Sequence, residues 1–227
     1  MATATVKPYL RLPFCEWRFL VEEGWYYSDE ERRIHRYRLH RGVDFSLKRG
    51  APILAAHAGY ALASYQHDYR RLSKKIMSYQ GKPIGFGYGN FVQIYNPQNQ
   101  RCTLYGHLQK VSKSLPFVRP HGLWPRLVTP TFRYTPHQFV TRGKLVKAGD
   151  VIGWCGDSGC TWGYRDYPPR PKLRAKPSWD GVHLHFEEFA LTGSGQRHDY
   201  SDPFGLYGGS VSYPTTLLPR QLNQLWL

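Results

Sequence analysis

Apolar and polar positions alternate along Val182-His183-Leu184-His185-Phe186-Glu187, the two-residue period of an extended strand. In that conformation His183, His185 and Glu187 share one face and Val182, Leu184 and Phe186 the other, so one side can enter a core while the other offers two imidazoles to a site. His40-Arg41-Gly42-Val43-Asp44-Phe45 repeats the design. As a strand it turns His40 and Asp44 to one face, with Gly42 between them leaving room for something to approach closely. Shorter apolar runs bounded by turn residues predict further strands. Residues 52–56 and 59–63 form a hairpin-like pair across His57-Ala58, residues 91–95 follow the glycine-rich stretch 85–90, and residues 102–107 follow the turn at 97–100. Ala148-Gly149-Asp150 separates two short strands within 144–154. The glycine-rich stretch precedes a strand and no helix follows it, so a phosphate-cradling role lacks its context; close backbone packing or an open substrate edge fits better.

Between these runs the periodicity fails. Residues 9–27 carry scattered aromatics consistent with a strand or two, with turns at Glu22-Glu23-Gly24 and Ser28-Asp29-Glu30. Residues 66–82 are basic and polar, an inserted surface element with room for a short helix. Residues 112–143 form a long irregular segment and 162–180 a proline-rich insertion; loops of that length are usually functional walls or disordered. Ser201-Asp202-Pro203 reads as a turn, and the tail from Tyr213 reads as a docked extension, because Leu217, Leu218, Leu222, Leu225 and Trp226 are too apolar to leave bare. There is no internal repeat.

Composition sharpens this picture. A chain of 227 residues with 41% hydrophobic content suits one domain with elaborations, and 22 Gly, 17 Pro and 15% aromatics point to a β-rich, loop-rich protein. Lys+Arg 31 against Asp+Glu 16 leaves a formal charge of +15. Such a surface attracts nucleic acid, anionic lipid or anionic wall polymers, and charge alone does not choose among them. Residues 1–20 contain Lys7, Arg11, Glu16 and Arg18 and no apolar h-region, so no signal peptide is visible. The apolar run 51–63 is broken by His57 and too short to span a bilayer, so no transmembrane segment is expected. Cys15, Cys102, Cys155 and Cys160 make neither a disulfide framework nor a zinc knuckle; a Cys155 to Cys160 bridge and buried thiols both fit.

Of ten histidines, His35, His57, His67, His121, His137 and His198 have no partners at diagnostic spacing and read as surface or packing residues. His40 comes with a carboxylate, His183 with His185, and His107 ends an apolar stretch. Two imidazoles and a carboxylate from distant segments suffice for a zinc ion with an open position. The same ligand types also serve non-haem iron oxygenases, which would leave two further histidines without a purpose. Spacing does not decide which of His183 and His185 would be the ligand.

Taken in order, His-Arg-Gly-Val-Asp-Phe, Gly-Tyr-Gly-Asn-Phe-Val-Gln-Ile, Leu-Tyr-Gly-His-Leu, Val-Lys-Ala-Gly-Asp-Val-Ile-Gly and Val-His-Leu-His-Phe-Glu resemble the LytM or lysostaphin-type (M23 family) zinc metallopeptidases, which cut cross-links in bacterial peptidoglycan. The resemblance covers roughly residues 37–207. It implies Zn2+ as cofactor with His40, Asp44 and His185 as ligands, and His107 and His183 as catalytic residues beside them. It also implies an antiparallel β-sheet core, duplicated hybrid motif-like, with long loop insertions forming a groove. Residues 1–36 would then be an N-terminal extension packed on the metallopeptidase domain, with insertions at about 66–84, 112–143 and 162–180, and 208–227 a C-terminal extension. The expected partners are peptidoglycan peptide stems or cross-bridges, with anionic wall polymers on the basic surface, and the expected location is the cell wall, the periplasm or outside the cell. The rival reading within the same fold is a non-catalytic relative that binds wall or activates another hydrolase, but such proteins normally lack some ligands, and all five positions are filled here. A nucleic-acid binder rests on charge only.

Overall fold

The computed structural model describes residues 7–25, 40–68, 78–79, 82–83, 86–118, 134–158, 182–207, 213–217 and 224–227. Among the described residues the chain folds into a mainly β structure with one short helix. Its strands are β1 (Leu20–Glu23), β2 (Val43–Ser46), β3 (Pro52–Leu54), β4 (Gly59–Asp68), β5 (Ser78–Tyr79), β6 (Lys82–Pro83), β7 (Phe86–Asn96), β8 (Arg101–Val111), β9 (Lys144–Val146), β10 (Val151–Cys155), β11 (His183–Leu191) and β12 (Arg197–Ser201). Ten of them form one antiparallel sheet along the path β1-β2-β11-β8-β7-β4-β9; β3 joins through β10, β10 through β8, and β12 through β11, while β5 and β6 pair with each other.

β11 has neighbours along both of its edges. Its first half pairs with β2 and its second half with β12 along one edge, and β8 runs along the other. Both faces are covered. Leu184 and Phe186 enter a cluster with Val43, Phe45, Tyr105 and Trp226, whereas Phe189 and Leu191 enter another with Leu62, Phe91, Leu104 and Phe139. The alternation expected for this strand is therefore present, and the histidine face is buried as well, with His183, His185 and Glu187 all inside.

The terminal segments belong to the first cluster. Leu10, Phe14 and Phe19 pack with Leu225 and Trp226, and the amides of Tyr9 and Leu10 both donate to the Leu225 carbonyl at 2.9 Å. Trp226 is fully buried, as its apolar neighbourhood in sequence required.

Several local expectations need correction. The runs 52–56 and 59–63 do not make a hairpin: β3 pairs with β10 and β4 with β7 and β9. β4 continues to Asp68, and β7 begins at Phe86 inside the glycine-rich stretch, because the two strands extend one another's ladder up to Asp68↔Phe86. β1 likewise runs through Glu22 and Glu23, which had read as a turn. The segment 112–143 is not irregular throughout. It ends in α1 (Pro136–Arg142), started by a capping box in which Thr135 Oγ1 accepts from the Gln138 amide and the Gln138 side chain accepts from the Thr135 amide. That box, with proline at the first helical position, was legible in Thr135-Pro136-His137-Gln138. The helix proposed for 66–82 falls largely on 69–77, outside the described residues, as do the Cys155 to Cys160 pairing and the whole 162–180 insertion.

Candidate metal centre

Register brings the first two groups together. β2 and β11 pair so that His185 lies directly opposite Asp44, and directly opposed residues send their side chains to the same face at close range. His40 arrives differently. It precedes β2 rather than lying in it, so strand alternation does not place it; the chain turns through Gly42, where a Cβ would come within 2.5 Å of the Phe186 carbonyl oxygen and 3.0 Å of the His185 ring. Gly42 is thus what allows this turn to lie against β11.

His185 Nδ1 lies 2.7 Å from Asp44 Oδ1 and 3.0 Å from His40 Nε2, and His40 Nε2 is 3.4 Å from Asp44 Oδ1. The protons of the two rings are committed elsewhere. His40 Nδ1 donates to the Gly24 carbonyl at 2.8 Å, and His185 Nε2 donates to Glu187 Oε1 at 3.0 Å. Once His185 gives up the further proton it carries at Nδ1, two imidazole lone pairs and one carboxylate oxygen converge, an arrangement suited to a cation. A zinc ion with bonds of about 2.0–2.1 Å in tetrahedral geometry sets its ligand atoms roughly 3.3 Å apart, close to the separations here. All three candidate ligand atoms lie within 4.8 Å of one another, so the residues present fit the metal.

The proton affinities express the same deficit. Burial lowers His185, but Asp44 and Glu187 outweigh it and push the ring up to about 10. Burial also lowers His40, and the charge on His185 adds to that, taking it to about 4. Burial would raise Asp44, but His40, His183 and His185 overcome it and hold the carboxyl well below its usual range. One proton on His185 stands where a metal would supply positive charge.

Behind His185 lies a second layer. Glu187 accepts from the Tyr88 hydroxyl at 2.5 Å and from Arg197 Nη1 at 3.2 Å, and Arg197 Nη1 also reaches the Tyr88 hydroxyl at 3.2 Å. Burial would raise Glu187, but His185 and Arg197 keep it lowered and ionised. A ligand's second ring nitrogen tied to a carboxylate is the usual way of fixing its tautomer and orientation.

His107 is aimed by a bulge. Asn90 of β7 pairs with Leu108 and Val92 with Tyr105, so Gly106 and His107 together face the single residue Phe91. His107 takes φ +60°, and at this point β8 exchanges β11 for β10 as its neighbour. A bulge with its residue in the left-handed region re-aims a side chain at modest backbone cost. His107 Nδ1 then donates to the Ser158 carbonyl at 2.9 Å, leaving Nε2 as an acceptor. Ser158 is itself pinned, its Oγ donating to the Leu108 carbonyl at 2.6 Å and accepting from the Asn90 amide at 2.9 Å. Gly89, at φ +61°, is required here, since a Cβ would fall 2.2 Å from the Ser158 backbone. Burial, then His183 and His185, keep His107 well below the ordinary histidine value, hence neutral. The His107 and His183 rings meet edge to face at 4.6 Å, and His183 Nε2 is 3.7 Å from Asp44 Oδ2.

The five residues singled out in the sequence, His40, Asp44, His107, His183 and His185, therefore come together. His57 is a buried packing residue 2.9 Å from Thr103 Oγ1, and His137 and His198 are exposed. Sequence reasoning gave no role to Glu187, although it lies two residues from His185 on the same face. Tyr88 and Arg197 carried no such signal. Gly24 and Ser158 act through backbone carbonyls, which no side-chain pattern reveals. The groove walls expected from the insertions fall on 119–133 and 159–181, outside the described residues.

No protein-family model matches the chain, and no curated protein does. Among solved structures it is similar to the catalytic domain of the antimicrobial peptidase lysostaphin from Staphylococcus simulans, with 20% identity over 74% of this chain and 79% of that one, at a TM-score of 0.36. It is similar to the catalytic domain of the prophage-encoded M23 protein EnpA from Enterococcus faecalis, with 18% identity over 82% and 92% and a TM-score of 0.41. A zinc containing peptidase from Vibrio cholerae is similar at 18% identity over 85% of this chain, with a TM-score of 0.43; this chain spans 39% of that protein.

Proposed function

We propose that this chain is a zinc-dependent endopeptidase of the LytM or lysostaphin type that hydrolyses peptide cross-links of bacterial peptidoglycan. The observation that carries the reading is the convergence of His40 Nε2, Asp44 Oδ1 and His185 Nδ1, with the outer nitrogen of each ring tied to Gly24 or Glu187, beside two further buried imidazoles. The five ordered sequence motifs supply the peptidoglycan half of the proposal.

His40, Asp44 and His185 would hold the ion, which when bound lowers the pKa of a coordinated water toward about 7 and polarises the scissile carbonyl. His107 takes the role of general base: it is neutral, and its proton is fixed on Nδ1 by Ser158, so Nε2 can accept one. His183, edge to face with His107 and near Asp44, takes the complementary role of stabilising developing negative charge or protonating the leaving amine. Burial of all five side chains keeps bulk water from competing for these interactions.

The net charge of +15 would draw the protein to anionic wall polymers. Among the described residues no helix is long and apolar enough to cross a membrane, and the site of action in this reading is the wall, outside the cytoplasmic membrane. Residues 37–207 would form the metallopeptidase domain, with 1–36 and 208–227 as extensions. Digestion of purified peptidoglycan, with products identified by mass spectrometry and a parallel EDTA-treated sample, tests the proposal: new stem or bridge termini that vanish with EDTA support it. Identical fragments in both samples, with the protein retained on the wall, would favour a binding relative instead.

A further inference from the structure

Among the described residues, the contacts that orient His40 lead away from the site and into both ends of the chain. The Nδ1 proton goes to the Gly24 carbonyl at 2.8 Å, and the His40 amide donates to the Trp25 carbonyl at 3.0 Å. The Trp25 amide donates to the hydroxyl of Tyr213 at 2.9 Å, and that hydroxyl donates to Asp202 Oδ2 at 2.8 Å. Asp202 also accepts from the amides of Phe204 and Tyr207, both at 2.9 Å. The Tyr213 ring is fixed edge to face on Phe204 at 5.2 Å and lies so close to Gly24 that a Cβ there would come within 2.1 Å of it.

Resting on the zinc reading above, we infer that Tyr213 is a positioning residue for the metal ligand His40, clamping the Gly24-Trp25 backbone so that the Trp25 carbonyl holds the His40 amide and the Gly24 carbonyl holds the ring with Nε2 facing Asp44 and His185. Through Tyr213, Trp25 and Gly24, a short piece of each end of the chain thereby supports the metal site. His185 has an equivalent support in Glu187 on its own strand. His40 precedes its strand and borrows its support from residues far away in sequence. The clamp works by geometry: a one-atom change at Tyr213 leaves the ligands untouched, frees the Trp25 amide, and releases the carbonyl that fixes the His40 tautomer. Support of this kind behind a ligating histidine is worth about 10–100-fold in metal affinity. Because Tyr213 acts through the Gly24-Trp25 backbone, the lower end applies.

The test uses the full chain, with zinc affinity measured by competition against a chromogenic chelator. Tyr213→Phe should bind zinc about tenfold more weakly than the unmodified protein, and nitrogen NMR should show the His40 ring of the metal-free variant losing its single Nδ1–H tautomer. Leu225→Ala, which loosens the same terminal packing without touching the clamp, should lower the melting temperature and leave affinity unchanged. Affinity of Tyr213→Phe within twofold of the unmodified chain overturns the inference, as does an equal loss in both variants. If Tyr213→Phe does not fold, the NMR spectrum of the unmodified metal-free protein decides: a His40 ring without a dominant Nδ1–H form overturns the clamp. An unmodified chain that binds no zinc overturns the zinc reading itself, a distinct outcome.

Discussion

Consecutive residues of β11, Glu187 and Glu188, face opposite sides of the sheet and anchor two buried charged clusters of opposite character. Glu188 is fully buried and takes both arms of the Arg101 guanidinium together with the Tyr9 hydroxyl at 2.7 Å. Arg101 spends its remaining donors on Asp199 and Ser201. Donors and acceptors in that cluster answer each other, and nothing further is required. Across the sheet, Glu187 supports His185, and the chain of bonds ends where His185, Asp44 and His40 share a single proton. Asp44 and two imidazoles held within 3.4 Å of one another around a single proton are set to exchange that proton for a metal ion. The difference teaches how to read buried charge: the closed cluster holds the fold together, and the other is the candidate metal site.

The comparison breaks most sharply at His185. His185→Ala removes one of the three candidate ligands, and metal analysis after dialysis should find no retained zinc and no peptidase activity in a protein that remains folded by circular dichroism. Next comes the closed cluster. Arg101→Met leaves Glu188 buried with only Tyr9 beside it, and urea unfolding should show a loss of about 3–5 kcal/mol, with zinc binding by the folded fraction unchanged. Turnover separates from binding at His107: His107→Ala should keep zinc and lose about 10²–10⁴-fold in kcat. His107→Gly, suited to the left-handed backbone, should be equally inactive yet no less stable than His107→Ala. The smallest effect belongs to the support layer, where Glu187→Gln should weaken zinc binding by about 10–100-fold while preserving stoichiometry, as read by chelator competition.

Much of the site was legible because alternation is a local property. Val182 to Glu187 announces which side chains share a face, and β2 needed only correct register to set Asp44 against His185. What was not legible depended on long-range backbone geometry. Nothing in Gly106-His107 says that β8 changes neighbours there or that the histidine sits at positive φ. His40 was read as a strand residue and is instead held by a carbonyl 16 positions earlier. The glycines of 85–90 were read as close backbone packing or an open substrate edge, and Gly89 is a case of the first, although its partner Ser158 lies far away in sequence. The capping box of α1 was written in the sequence and passed over because the surrounding segment lacked periodicity.

The central claim is that His40, Asp44 and His185 form one cation site, and zinc titration of the metal-free, folded protein tests it most directly. The account predicts saturation at about one zinc per chain with tight binding, release of a proton as metal replaces the one shared at His185, and a rise in melting temperature with zinc concentration. A folded protein that takes up no zinc at micromolar concentrations, or that binds it equally well as His185→Ala, would contradict the account.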